Sequence, residues 1–179
     1  MRRWAPLIRP GGRVLDLACG SGRHVRWLAS RGLHVTAVDR DASALQPLRH
    51  VARVLQADLE GAPWPLAGER FDGVVATNYL WRPLWPALLG ALAEGGALIY
   101  ETFAAGNETV GRPARADFLL RHGELLELAH GLHVVAYEDG FLDAPQRFVQ
   151  RIAAVAGAPG LRRFALQPHR TGEAKMSGA

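Results

Sequence analysis

The sequence predicts an α/β fold built on a doubly wound, mostly parallel, seven-stranded sheet with an antiparallel C-terminal hairpin. Two observations support this prediction. Between residues 14 and 102, short apolar runs alternate with helical patterns, as expected of strands buried between helices. The last two runs, 133–138 and 147–156, alternate in polarity and are separated only by a turn, which is typical of an antiparallel edge pair.

The first strand and the turn after it give the strongest local signal. Val14–Leu17 is an apolar run, Gly20 and Gly22 follow at once, and an amphipathic pattern over 23–30 predicts a helix. Glycines let the backbone turn sharply and approach a ligand at a place where a Cβ would intrude. A strand, a glycine turn and a helix in this order form a nucleotide-binding corner.

The remaining elements follow the same alternation. Further strands are predicted at 33–39, 53–57, 71–77, 97–102, 133–138 and 147–156. Helices are predicted at 41–49, 84–93 and 117–130, the first of them capped by Asp41 and kept short by Pro47. The polar, glycine-containing segment 103–116 is long for a loop in a compact domain, and such loops are often functional.

Length and composition limit the possible classes of protein. A chain of 179 residues suits one domain, predicted here as residues 13–156 with a short N-terminal segment 1–12 and a C-terminal tail 157–179. No apolar run approaches the roughly 20 residues of a membrane span, and no signal peptide is recognised. The single Cys19 excludes an internal disulfide framework and a multi-cysteine zinc site. These features predict a cytoplasmic location without a membrane partner.

The charge of the chain does not by itself indicate a nucleic-acid partner. The formal net charge is +4, which is compatible with nucleic-acid binding. The arginines, however, are scattered along the chain instead of forming a stripe. We therefore regard nucleic acid as an unlikely partner and expect a monomer or a homodimer.

The acid before the glycine turn separates two ligand classes. A dinucleotide fingerprint needs a third glycine, but Val25 occupies that position. Asp16 ends the preceding strand, where its charge opposes a pyrophosphate and favours a cationic ligand. S-adenosylmethionine (SAM) carries an ammonium and a sulfonium, so it fits better than NAD. Asp39 follows the glycines by about twenty residues, the spacing at which a carboxylate reaches ribose hydroxyls.

Four segments, VLDLACGSGR, VTAVDRD, LQADLE and FDGVVATNYL, make residues 13–156 resemble the class I SAM-dependent methyltransferases. Within that class, segment 117–125 and the strand pair after it resemble the small bacterial tellurite-resistance methyltransferases. The resemblance implies a Rossmann-like fold and SAM as the cofactor. The hairpin here keeps Arg147 but has no histidine between Glu138 and Arg147, so an oxyanion and another small acceptor stay equally open.

The candidate cofactor site lies at the carboxyl ends of the predicted strands, where ligands of doubly wound sheets bind. Asp16 is assigned to the methionyl end of SAM or to capping of the turn, and Asp39 to the ribose or to the next helix. The resemblance assigns the adenine amine to Asp58 and the Leu59 backbone. Arg40 stacks by the adenine or is solvated. The predicted cofactor-binding residues are Asp16, Ala18, Gly20, Gly22, Asp39, Arg40, Asp58, Leu59 and Asn78.

The candidate catalytic residues are Tyr79, Glu101, His122 and Arg147. Methyl transfer mainly requires in-line approach of the acceptor, and a general base is needed only when the acceptor carries a proton. Glu101 is interpreted either as facing the substrate or as bonding a neighbouring amide, and His24 as a solvated or packed histidine. No histidine spacing indicates a metal site. The segments 103–116 and 139–146, with Asn78 and Tyr79, are expected to wall the acceptor pocket.

The function predicted from these residues is SAM-dependent methyl transfer to a small-molecule acceptor by in-line displacement at the sulfonium methyl. The first alternative is a SAM-binding regulatory subunit or sensor without chemistry of its own. A nucleic-acid or protein methyltransferase ranks third, because no appended recognition domain is seen in the sequence.

Overall fold

The computed structural model describes residues 1–157, 163, 164 and 166, and its centre is a seven-stranded sheet of order β3-β2-β1-β4-β5-β7-β6. The strands are β1 Arg13–Leu17, β2 His34–Asp39, β3 Arg53–Gln56, β4 Phe71–Thr77, β5 Leu92–Phe103, β6 His133–Asp143 and β7 Gln146–Val155. Neighbours among β1 to β5 pair in parallel, whereas β7 pairs antiparallel with both β5 and β6. The predicted fold class is confirmed.

The strand order reverses next to β1, which pairs with β2 on one side and β4 on the other. The chain therefore leaves β3 at one edge and returns as β4 on the far side of β1. In open α/β sheets a crevice forms outside the carboxyl ends of the strands at such a switch point. The fold thus places the ends of β1, β2 and β4 around one crevice.

Short helices cover both faces of the sheet. The helices are α1 Arg23–Ala29, α2 Ala42–Leu45, α3 Trp85–Gly90 and α4 Glu124–Leu128, with 3₁₀ turns at Arg2–Leu7, Gln46–Leu48, Arg82–Leu84, Asn107–Thr109 and Ala116–Phe118. Leu28 of α1 and Leu45 of α2 pack with Val75 on one face. Leu88 of α3 and Leu125 of α4 pack with Leu98 on the other. Each apolar stripe is buried against the sheet, as the hydrophobic effect requires.

The predicted helix over 84–93 is too long. Helix α3 ends at Gly90, because Leu92 already pairs with Phe71 at the start of β5. Gly96, expected to follow a helix, lies inside β5, where a Cβ would sit 2.8 Å from the carbonyl oxygens of Ala93 and Phe71. The glycine permits this close backbone approach at an irregular point of the β4–β5 ladder.

The predicted helix over 117–130 is wrong for most of its length. Residues 119–123 are not helical, and Leu120 forms an isolated parallel bridge with Ala104. The buried Glu124 starts α4 and binds the Arg82 guanidinium with both carboxylate oxygens, at 2.6 and 2.9 Å. These long-range bonds outweigh the local helical propensity, which is a weak preference.

The ends of the chain and the hairpin complete the description. Residues 2–7 form a single 3₁₀ turn that buries Trp4 and Leu7. The predicted turn at 139–146 is shorter than expected, because β6 and β7 stay paired as far as Asp143 and Gln146. Apart from residues 157, 163, 164 and 166, the predicted tail 157–179 lies outside the described residues. Within the described part of the chain, no helix is long and apolar enough to cross a membrane.

Candidate active site

The turn after β1 is shaped by residues in the left-handed region. Ala18 has φ +48°, Gly20 +51° and Gly22 +76°. A Cβ on Gly22 would overlap the Leu48 side chain, so glycine is what lets α1 begin this close to the 3₁₀ turn after α2. The Cys19 amide donates to the Val38 carbonyl at 3.1 Å, which fastens the turn to the neighbouring strand. The result is exposed backbone at the switch point of the sheet.

Asp16 is the buried charge of this turn. Its side chain is 1% exposed, and Oδ2 has no hydrogen-bond partner among the described residues. Burial raises its pKa to about 7; the Arg23 charge works against this rise and Asp39 adds to it. A buried carboxylate is stabilised when a cation is placed beside it. This unsatisfied oxygen therefore suits the ammonium of the SAM amino-acid group.

Asp39 holds the glycine turn in place. Its Oδ2 accepts the Gly20 amide at 2.8 Å and its Oδ1 accepts the Asp41 amide at 2.9 Å. Asp41 is the N-cap of α2, since its side chain accepts the amides of Ser43 and Ala44, as predicted. Asp39 is thus not needed to cap α2. Its oxygens keep lone pairs that can accept hydrogen bonds from the two hydroxyls of a ribose.

A first cleft joins the ends of β2 and β3 and contains several predicted cofactor residues. Asp58 is exposed and accepts the Glu60 amide at 3.0 Å, while Leu59 is buried beneath it. Arg40 lies exposed at the rim. An apolar floor with acids at its edge matches the needs of an adenine and a ribose. The cleft is lined by Ala18, Asp39, Arg40, Ala57, Asp58, Leu59, Glu60 and Tyr79.

Tyr79, predicted to be catalytic, lies in this first cleft with the cofactor candidates. Its hydroxyl is buried without a hydrogen-bond partner among the described residues. Burial, with Glu60 and Asp58 nearby, raises its pKa above the ordinary value. The phenol is therefore protonated at neutral pH and can donate a hydrogen bond into the cleft.

A second cleft lies at the ends of β4, β5 and β7, and Glu101 is at its centre. Glu101 Oε1 is 3.2 Å from Arg147 Nη2, and Oε2 is 2.6 Å from Arg151 Nε. Arg147 and Arg151 share a face because they are four residues apart on one strand. The cleft is lined by Met1, Arg2, Arg23, His24, Thr77, Glu101, Arg147 and Arg151.

The second cleft has an excess of positive charge. Its lining contains four arginines and one carboxylate, Glu101. Arg147 Nε is buried and has no hydrogen-bond partner among the described residues. Arg151 Nε contacts Glu101, but the angle is not that of a hydrogen bond. Guanidinium donors left open in this way suit an anionic group.

His122 lies on the other face of the sheet from Glu101. Successive side chains of a strand point to opposite faces. Arg151 contacts Glu101, whereas the adjacent Gln150 donates to the Arg121 carbonyl. His122 itself is 79% exposed, with Nδ1 3.2 Å from Asp139 Oδ2. The sheet therefore separates this predicted catalytic histidine from Glu101 and Arg147, which it brings together.

Asn78 connects the ends of two strands through its backbone. It has φ +57°, a conformation that asparagine tolerates better than most residues, and its amide donates to the Glu101 carbonyl at 2.8 Å. Its side chain is exposed at the rim. The geometry favours a turn-forming role for Asn78.

None of the expected acceptor wall, which comprised segments 103–116 and 139–146 with Asn78 and Tyr79, is among the residues that line the second cleft. Asn107 is buried, with its side chain bonded to the Pro113 carbonyl at 3.0 Å and the Phe148 amide at 3.2 Å. These bonds fasten the loop to the start of β7. The cleft is instead lined by residues that include His24 and Arg151, which were not among the site residues predicted from the sequence. The spacing of four residues from Arg147 predicts that Arg151 lies on the same face of the strand. No sequence pattern predicts the position of His24.

Comparisons with known proteins agree with this geometry. Residues 14–95 match the methyltransferase domain family. The malonyl-[acyl-carrier protein] O-methyltransferase of Serratia marcescens is 33% identical over 107 residues, covering 55% of this chain and 41% of that protein. The protein-L-isoaspartate O-methyltransferase of Methylorubrum populi is 30% identical over 60% of this chain and 53% of its own. The chain thus spans about half the length of these relatives.

Solved structures share the fold at low identity. TehB from Haemophilus influenzae superposes with a TM-score of 0.71 and 21% identity over 86% of this chain and 60% of its own. The glycopeptide N-methyltransferase MtfA, crystallised with SAM, gives a TM-score of 0.61 and 21% identity over 87% and 92%.

Residues 14–95 thus match a methyltransferase domain, and the fold is shared with solved SAM-dependent methyltransferase structures, in agreement with the predicted class and cofactor. The fold is also similar to that of a TehB-like SAM-dependent methyltransferase of Corynebacterium glutamicum, with a TM-score of 0.64 and 20% identity over 88% of this chain and 86% of that one.

Proposed function

We propose that this chain transfers a methyl group from SAM to a small anionic molecule bound in the cleft beside Glu101. The observation that carries the proposal is the order of charges along the carboxyl ends of the sheet. The acids Asp39 and Asp16 stand at β2 and β1, and the arginines of β7 follow beyond β4 and β5. A cationic cofactor and an anionic acceptor are thus each met by opposite charge.

Three groups of the chain are suited to hold the cofactor. The buried Asp16 carboxylate pairs with the ammonium, Asp39 accepts the ribose hydroxyls, and the cleft over Leu59 receives the adenine. The Tyr79 hydroxyl adds a neutral donor at the edge of that cleft. When bound, SAM supplies a sulfonium methyl, to which the acceptor's lone pair bonds while the carbon–sulfur bond breaks and its electrons stay on sulfur.

The chain's own task at the second cleft is to position the acceptor. Holding two reactants in line supplies up to roughly 7–11 kcal/mol of the barrier, so a dedicated base is not required for an acceptor that is already deprotonated. Arg147 and Arg151 are both held by their pairing with Glu101. A preformed arginine pair lowers the entropy lost when an anion binds.

A small acceptor is supported by the walls of this cleft. The 3₁₀ turn Arg2–Leu7 lies on one side, anchored by the buried Trp4, and the strands β5 and β7 lie on the other. The relatives named above include enzymes of carrier-protein, protein and glycopeptide acceptors. The small size of the acceptor is therefore itself proposed, and the test below uses small acceptors.

The test compares acceptors that differ only in charge. Purified protein with SAM is given mercaptoacetate or mercaptoethanol, para-hydroxybenzoate or its neutral amide, and inorganic selenite, and S-adenosylhomocysteine (SAH) is quantified. We expect turnover to favour the anionic member of a pair. Equal turnover of the neutral members would refute the anionic acceptor. Tight SAH binding without turnover of any acceptor would favour a SAM-binding sensor.

A variant pair locates the acceptor site. Arg147→Gln is expected to raise KM for the anionic acceptor about tenfold or more, the effect of losing one charged hydrogen bond, with SAH affinity unchanged. Arg49→Gln is the matched control, because Arg49 is exposed at the opposite edge of the sheet, beside the start of β3. Equal KM values in the two variants would place the acceptor elsewhere.

A further inference from the structure

One histidine reaches the second cleft from α1. His24 is the second residue of that helix, immediately after the glycine turn, and it lines the cleft together with Glu101 and Arg147. The residue is half-buried. Thr77, at the end of β4, lines the same cleft. His24 therefore faces the groups proposed to hold the acceptor.

Its hydrogen-bonding state follows from its neighbour. His24 Nε2 lies 3.1 Å from Arg23 Nη2. A guanidinium only donates hydrogen bonds, so Nε2 must be the acceptor and carries no proton. The ring is neutral at physiological pH, because burial and the Arg23 charge lower its pKa to about 4 against the opposing effect of Glu101. In a neutral ring whose Nε2 accepts, the proton resides on Nδ1.

The Nδ1 atom is the unsatisfied part of this residue. It is buried and has no hydrogen-bond partner among the described residues. Buried polar groups in folded proteins nearly always have a partner. An N–H donor without a protein partner, on a residue that lines a cleft rich in arginines, points to a bound molecule that completes the bond.

We propose that His24 Nδ1–H donates a hydrogen bond to the methyl acceptor and orients it as a neutral donor. This inference rests on the proposed function, since it assigns a residue to the same acceptor cleft. It differs from a general-base role, because the Nε2 lone pair is engaged by Arg23. The attacking atom must then be deprotonated before it binds, as a carboxylate or oxyanion is, or as the thiolate or phenolate fraction of the probes is.

The first test needs no turnover. Long-range ¹H–¹⁵N correlation spectra of the SAH-bound protein at neutral pH report the protonation of each histidine nitrogen, and His24→Asn identifies the His24 signals. We expect a neutral ring with the proton on Nδ1. A proton on Nε2, or a charged ring at neutral pH, would overturn the proposal.

The second test separates the two ring nitrogens by substitution. The Asn amide places a donor near the position of Nδ1, whereas the Gln amide places one near Nε2. With mercaptoacetate, para-hydroxybenzoate and selenite as probes, His24→Asn is expected to keep KM within about threefold, and His24→Gln and His24→Ala to raise it about tenfold. SAH affinity should stay constant throughout. The matched control is His50→Ala, because His50 is exposed at the opposite edge of the sheet.

The outcomes distinguish this inference from the function on which it rests. The donor role would be overturned by equal KM values in the three His24 variants. It would also be overturned if kcat fell as far in His24→Asn as in His24→Ala. If the wild-type protein turns over none of the probes, the proposed function fails and the donor role fails with it. If the wild type turns over a probe but the His24 variants do not differ in KM, only the donor role fails.

Discussion

Replacing Asp16 by Asn is expected to stabilise the ligand-free protein and to weaken its cofactor binding. The Asp16 carboxyl is 1% exposed, and burial raises its pKa from 3.8 to about 7. A raised folded-state pKa means that the native protein binds the proton more tightly than the unfolded chain does. Stability is then greatest below the unfolded pKa and is lost as the pH rises through the folded pKa.

The magnitude follows from the shift. One pKa unit corresponds to about 1.4 kcal/mol, so a carboxyl moved from 3.8 to about 7 costs roughly 4 kcal/mol of unfolding free energy above that pH. Against this, the buried Asn amide leaves polar groups without hydrogen bonds, which costs roughly 1–3 kcal/mol. We therefore expect a net gain of about 1–3 kcal/mol above about pH 8 and a net loss of about 1–2 kcal/mol near about pH 4, where the wild-type carboxyl is protonated and only the cost of the amide is left.

Thermal unfolding without ligand, followed at both pH values, measures this gain. The expected rise in Tm above about pH 8 is a few degrees for each kcal/mol. Asp58→Asn serves as the control, because that strand-end acid is exposed and should change Tm little. An unchanged or lower Tm for Asp16→Asn at the higher pH would refute the assignment of a costly buried charge.

Calorimetry with SAH tests the same residue in the bound state. Removing the carboxylate should weaken SAH binding roughly tenfold to a hundredfold, the range for a hydrogen bond to a charged group. In the wild type, affinity should rise as the pH passes through the Asp16 pKa of about 7, with a proton released on binding below it. A pH-independent affinity would place the ammonium elsewhere.

Three further predictions address neighbouring features. Asp39→Ala should weaken SAH binding by about 1.5–3 kcal/mol. Asp41→Ala removes only the α2 cap, so it should cost about 1 kcal/mol of stability and leave SAH affinity unchanged. Calorimetry and denaturant unfolding compare the two variants, and equal SAH affinities would leave Asp39 a purely structural role. Glu124→Gln should lower the free energy of unfolding by about 1–3 kcal/mol, because it removes the carboxylate from the Arg82 guanidinium, which is 36% exposed and keeps its bonds to the Asp117 and Leu119 carbonyls; an unchanged free energy of unfolding in denaturant titrations would contradict this. Cys19 should be alkylated by iodoacetamide far more slowly at neutral pH than free cysteine, because burial raises its thiol pKa to about 12; labelling at the free-thiol rate would show that it is exposed as a thiolate.

The strand ends of the proposed cofactor site were predictable from short stretches of sequence. Asp16, Gly20 and Asp39 lie at strand ends that the apolar runs identify, and each strand-turn-helix unit folds from neighbours within about twenty residues. Parallel strands buried on both faces give continuous apolar runs, so their carboxyl ends can be read directly. The N-cap Asp41 follows from the same local rules.

The acceptor side was not predictable in the same way. His122 and the helix over 117–130 were inferred from a local pattern, but bonds to Arg82 and Ala104 from distant parts of the chain override it. His24 carries no sequence signal, since a polar residue in the first turn of a helix is usually solvated. Tyr79 follows β4 in sequence as expected, yet it lies in the cleft with Asp39.

The sequence by itself determined the fold class, the glycine turn and the acids at the strand ends that are proposed to face a cationic cofactor, because these depend on periodicity and on residues adjacent in the chain. Only the tertiary structure decided that Glu101 meets Arg147 and Arg151, that His24 joins them, and that His122 does not. The physical reason is register. The pairing of β5 with β7 aligns Glu101 with Arg151 across about fifty positions of sequence, and a shift of one residue would send each side chain to the opposite face of the sheet.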